Sequence, residues 1–94
     1  MIIYLILEVI NITNISNILG VMNMANICLI DDEKALNQVL KIYLERDGHS
    51  VVPYYCIQDI YKRTNWYSLY DLYIIDIMLP DGSGTELLKK IKDK

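Results

Sequence analysis

The chain has 94 residues, 53% hydrophobic and 22% charged, with a formal net charge of −3 at neutral pH. That length leaves room for one domain. The composition excludes wholesale disorder, and the acidic balance excludes a general affinity for nucleic acid.

Residues 1–25 differ from the rest. They contain no Lys or Arg, seven Ile and four Asn, with Asn11, Asn14 and Asn17 spaced by three. The apolar stretch Met1 to Ile10 is interrupted by Glu8 and is too short to span a bilayer. It lacks the basic start and small-residue cleavage site of a secretory signal. Three readings stay open for 1–25: a non-native leader, with translation starting at Met22 or Met24; an extra strand or helix packed on the domain; or a membrane-surface anchor. The window Ile2–Leu7, uncharged and rich in β-formers, is an aggregation hazard if exposed.

From Asn26 the apolar pattern alternates between strand and helix. Residues 27–31 form a continuous apolar strand, the kind buried on both faces. Residues 33–47 follow as a helix whose Leu36, Val39, Leu40, Tyr43 and Leu44 recur at three and four and predict one buried face. Gly48 terminates it. Residues 50–54 form a second strand, which Pro53 confines to a sheet edge. A helix over 57–67 uses Ile57, Ile60 and Tyr61. The third strand is 71–76. A loop from Leu79 to Ser83 leads to a helix from Gly84, opened by a Ser83/Glu86 capping box, buried through Leu87, Leu88 and Ile91, and closed by lysines that suit the helix dipole.

This β-α-β-α-β-α order predicts an α/β fold with a parallel sheet and right-handed crossovers. Placing the Pro-bearing strand at an edge gives the order 2-1-3. In such sheets sites form at the carboxyl ends of strands, near the switch in strand order. There the first strand ends in Asp31-Asp32-Glu33 and the third in Asp76. Three carboxylates meeting at one edge repel, and a divalent cation relieves that repulsion. A carboxylate beside a hard cation is also a plausible phosphoryl acceptor.

Simpler readings stand beside these. Asp31-Asp32 is compatible with helix capping, and Asp76 with a solvated turn. Asp81-Gly82-Ser83-Gly84 reads as turn chemistry or as a phosphate loop. His49, the only histidine, reads as structural or exposed rather than as a phosphodonor. Cys28 and Cys56 show no partner motif and read as buried free thiols in a reducing compartment. The eight tyrosines read as packing.

Three stretches together carry a family resemblance: Ile27-Cys28-Leu29-Ile30-Asp31-Asp32-Glu33, Gly48-His49-Ser50-Val51, and Asp71 through Asp76 to Met78-Leu79-Pro80-Asp81-Gly82-Ser83-Gly84. Residues 26–94 resemble the N-terminal portion of a response-regulator receiver domain, the phosphoacceptor module of two-component signalling. The resemblance implies a partial doubly wound, flavodoxin-like sheet lacking strands 4 and 5. It implies that Asp76 is the phosphorylated aspartate. Mg²⁺ is then held by Asp32, by Asp31 through water, by Asp76, and by the backbone carbonyl of Met78. The implied partner is a sensor histidine kinase or phosphotransfer protein, and the implied place is the cytoplasm.

The family's Ser/Thr at the end of strand 4 and Lys at the end of strand 5 have no counterpart in this sequence. The expectation is therefore a truncated receiver with impaired phosphotransfer, in a fragment of a longer reading frame. Its third strand is expected to be an exposed apolar edge that drives self-association. A second expectation is a docking fragment that is never phosphorylated. A third, remote one is an aspartyl-phosphate hydrolase, disfavoured because Met78 stands where a second acid is needed. A signalling module, not an enzyme, with no nucleic-acid partner and no membrane span, is the leading expectation.

Overall fold

A computed structural model describes residues 3–6 and 24–94. Four strands, β1 (Ile3–Ile6), β2 (Asn26–Ile30), β3 (Ser50–Tyr54) and β4 (Leu72–Ile75), form one parallel sheet in the order β1-β4-β2-β3. Helix α1 (Lys34–Arg46) links β2 to β3, and α2 (Ile57–Tyr61) leads toward β4. A short antiparallel pair, β5 (Met78–Leu79) and β6 (Gly82–Ser83), precedes α3 (Gly84–Lys92). The sequence-expected order of the three strands is present, with β2 between β3 and β4 and Pro53 on the outer strand.

β2 from Ile27 onward and β4 are apolar throughout because both of their faces are covered. Cys28, Ile30, Tyr73 and Ile75 face one layer, where they meet Ile57, Ile60, Leu87 and Ile91. Ile27, Leu29, Leu72 and Ile74 face the other, with Leu40 and Leu44 of α1. Truncating a fully buried side chain such as Leu44 to Ala costs roughly 2–5 kcal/mol.

The expected exposed edge on β4 is corrected. Ile3–Ile6 runs parallel to it, with Ile3 opposite Leu72 and Ile6 opposite Ile75. Of the three readings of 1–25, a packed extra strand describes residues 3–6. The asparagine spacing and both proposed start sites' surroundings lie outside the described residues, apart from exposed Met24. Among the described residues no helix is long and apolar enough to cross a membrane.

Three element details also differ from expectation. Leu36 and Val39 of α1 are exposed, and the buried stripe is Asn37, Leu40 and Leu44. The second helix stops at Tyr61 rather than 67, and Asn65, at a left-handed φ of 59°, keeps the following segment out of helical geometry. The Ser83 cap is a single bond, its hydroxyl accepting from Thr85 N–H at 3.2 Å rather than from Glu86. Gly48 closes α1 as expected, at φ 92° with its N–H on the Glu45 carbonyl.

Candidate functional site

The carboxyl ends of β2 and β4 are neighbours in register, Ile30 beside Ile75. Each strand ends in an acid, so the topology alone brings Asp31, Asp32 and Asp76 to one rim. Oxygen atoms from the three carboxylates lie within 4.8 Å of one another. Asp31 is buried, Asp76 half-buried and Asp32 exposed. The cluster the sequence predicts is therefore assembled.

Backbone hydrogen bonds fix two of the members, Asp31 and Asp76. Asp76 N–H donates to the Ile30 carbonyl at 2.9 Å, and Asp31 N–H to the Tyr54 carbonyl at 3.1 Å. Asp31 Oδ1 accepts from Glu33 N–H at 2.9 Å. Asp31 belongs to the cluster and does not cap α1, whose N-cap position is Glu33. Met78 N–H reaches back to Asp76 Oδ1 at 3.2 Å, which leaves the second Asp76 oxygen without a hydrogen bond from the described residues. The Met78 side chain is exposed.

Burial raises the Asp31 carboxyl above the usual carboxylate range, and the charges of Asp76, Asp32 and Glu33 push it further; the Glu33 N–H bond opposes them. That like-charge strain is what a bound cation offsets. The side-chain donors are carboxylate oxygens alone, and the residues present fit a hard divalent ion such as Mg²⁺.

Two supports escaped sequence reasoning. Asn37 is fully buried on the sheet-facing side of α1. Its Nδ2 donates to the carbonyls of Asp31 at 3.0 Å and Tyr54 at 3.1 Å, clamping the ends of β2 and β3 together. Its signal was a polar residue in step with Leu40 and Leu44. Asp81 holds the first turn of α2 from across the fold, accepting from Ile57 N–H at 2.8 Å and Gln58 N–H at 2.9 Å. Those two bonds draw its carboxyl below the usual range. Asp81-Gly82-Ser83-Gly84 is thus turn and cap chemistry. No local pattern announces the Asp81 contact.

Gly84 is required by close approach. A Cβ there would sit 2.0 Å from the Asp76 carbonyl oxygen. The same residue donates its N–H to the Ile77 carbonyl at 2.7 Å. The start of α3 thus packs directly on the backbone of Asp76.

The remaining singled-out residues lie elsewhere. His49 is buried, its Nδ1 accepting from Ala25 N–H at 3.0 Å, which is the structural reading. Cys28 is a buried free thiol, its pKa pushed up by burial; Cys56 is free and half-buried. Trp66 lies in the segment entering the opposite end of β4, away from the acidic rim.

A family model described as "Response regulator receiver domain" matches residues 27–94. The chain is 34% identical over 68 residues to "Response regulator SaeR" of Staphylococcus epidermidis, covering 72% of this chain and 29% of that protein. It is 40% identical over 68 residues to "Transcriptional regulatory protein CssR" of Bacillus subtilis, with the same two coverages. Among solved structures, the "Non-phosphorylated HemR Receiver Domain from Leptospira biflexa" aligns with a TM-score of 0.66 and 34% identity, over 73% of this chain and 55% of that one. The chain thus spans under a third of the length of these curated relatives.

Proposed function

The chain belongs to the response-regulator receiver family of two-component systems, and from that premise we propose that it accepts a phosphoryl group on Asp76. The observation that carries this reading is the three-aspartate cluster. The Asp76 oxygen left free by the Met78 N–H bond is the nucleophile. It forms a P–O bond in line with the P–N bond that breaks in a phosphohistidine donor, and the donor imidazole leaves. The product is an aspartyl acyl phosphate, which water resets.

Asp31, Asp32, Asp76 and the backbone carbonyl of Met78 are the residues that would hold Mg²⁺. When bound, the ion neutralises charge on the transferring group. Asp31 supplies a buried, oriented carboxylate. Asn37 holds that carboxylate's strand end in place, and the N-terminal turn of α3 fixes Asp76 through Gly84. The chain contributes an accepting carboxylate and its positioning, not turnover of a small substrate. The partner that fits is a sensor histidine kinase or phosphotransfer protein, in the cytoplasm.

A docking role without phosphorylation is the second reading, favoured by the exposed apolar residues Leu36, Val39 and Ile42 on α1. Treatment with a small phosphodonor and Mg²⁺ separates the two. Phosphoryl acceptance gives a mobility shift on phosphate-affinity gels that is absent from Asp76→Asn. An intact protein that never shifts leaves the docking reading.

A further inference from the structure

The β5–β6 hairpin that follows Asp76 is tied to different elements at its two ends. At its base, Gly84 N–H donates to the Ile77 carbonyl at 2.7 Å, Met78 pairs with Ser83, and Leu79 pairs with Gly82. Met78 N–H donates to Asp76 Oδ1 at 3.2 Å. Leu79 is buried in the cluster that contains Ile57. At the tip, Asp81 Oδ1 accepts from Ile57 N–H at 2.8 Å and Oδ2 from Gln58 N–H at 2.9 Å. Gly82 lies so close to α2 that a Cβ there would come within 2.8 Å of Ile57 Cδ1. Cys56, at the N-cap position of α2, makes no side-chain cap bond among the described residues, so the hairpin tip supplies the cap.

We propose that Asp81 is a positioning residue for the acidic rim: by pinning the hairpin tip to α2 it fixes the backbone of Met78, whose N–H holds Asp76 and whose carbonyl is a metal ligand. The inference rests on the reading of the rim as a Mg²⁺ site. Asp81 is not one of the clustered acids, so it acts through the hairpin. Only Leu79 and Pro80 separate it from Met78, and they leave little slack. Leu79 is held by burial, and the Pro80 ring fixes its own φ. Mg²⁺ demands near-ideal octahedral geometry, so a loosened carbonyl weakens its binding. Linkage makes the coupling reciprocal. If the Asp81 bonds strengthen Mg²⁺ binding by some factor, bound Mg²⁺ strengthens those bonds by the same factor. The Ile57 and Gln58 amides then report the metal site from α2.

Mg²⁺ is titrated into the full chain by calorimetry, and exchange of the Ile57 and Gln58 amide hydrogens is followed by NMR with and without the ion. Asp81→Ala, folded by circular dichroism, is expected to bind Mg²⁺ about tenfold more weakly, the size typical of losing a group that orients a ligand. Asp81→Asn keeps an acceptor oxygen and recovers part of the loss; it carries the comparison if the alanine variant does not fold. Leu44→Val, a core truncation on the opposite face of the sheet, binds as the parent does. In the parent, saturating Mg²⁺ slows exchange at the two amides by a factor similar to the affinity lost in Asp81→Ala. A folded Asp81→Ala that binds as tightly as the parent overturns the proposal. So do parental amides whose exchange ignores bound Mg²⁺, or a Leu44→Val variant that loses as much affinity as Asp81→Ala. A parent that binds no Mg²⁺ overturns the metal reading itself, and this inference with it.

Discussion

Asn37 and Asp81 show how single polar groups tie separate elements together. Asn37 donates to two strand-end carbonyls from a fully buried position, while its Oδ1 finds no partner among the described residues. Asn37→Leu keeps the volume and removes the donor, leaving the Asp31 carbonyl without that bond. The expected cost is about 1–3 kcal/mol, read by urea denaturation. A variant as stable as the parent shows that packing alone holds the strand ends. Asp81 acts at longer range. Its carboxyl is drawn down by the Ile57 and Gln58 N–H groups, so the charged form is favoured in the folded chain. Its stabilisation is present above the ordinary carboxylate pKa of about 3.9 and is lost as pH falls through the lower folded value. Urea midpoints of parent and Asp81→Ala should therefore differ most near neutral pH and converge in acid. A gap independent of pH removes the charge from the explanation.

Among the elements, β2, β3 and β4 were legible because nothing competes with their signals. Runs such as Ile27–Ile30 and Leu72–Ile75 have no polar residue to suggest a second period, and each is bounded by acids or turn residues. The positions of Asp31, Asp32 and Asp76 followed, since strand ends in parallel register need only the strand order. The burial of α1 was half legible. Five apolar residues share its face, yet its contact with the sheet runs through Leu40 and Leu44, and Leu36 and Val39 stay exposed. An apolar residue at the flank of a stripe satisfies the periodicity without being covered. The pairing of β1 was not legible, because parallel partners share no turn and leave no local trace. It can be tested at the backbone. Parallel strands alternate in which residues bond a given neighbour, so Tyr4→Pro/Leu5→Pro removes a β1–β4 donor whichever set is used. The double variant is expected to expose the β4 edge and to shift from monomer to concentration-dependent oligomers on gel filtration. A variant that elutes unchanged at high concentration means the β1 pairing does not protect that edge.

For the molecule as a whole, a metal ion held at the acidic rim would couple binding to folding. A ligand that binds only the folded chain stabilises it by about 2.7 kcal/mol at a hundred times its dissociation constant. For a domain of this size each kcal/mol moves the melting midpoint by roughly 4–8 °C. Saturating Mg²⁺ is thus expected to raise the Tm by roughly ten degrees or more, and Asp31→Asn/Asp32→Asn to abolish the response. An equal rise in both proteins assigns the effect to ionic strength. The parallel contact between Ile3 and Leu72 has a further consequence during synthesis. Its two strands leave the ribosome about seventy residues apart, the last-formed partner arriving after α1, β3 and α2. A contact of such long range closes slowly. The nascent chain therefore passes through an interval in which β1 is already exposed to solvent and its docking site does not yet exist.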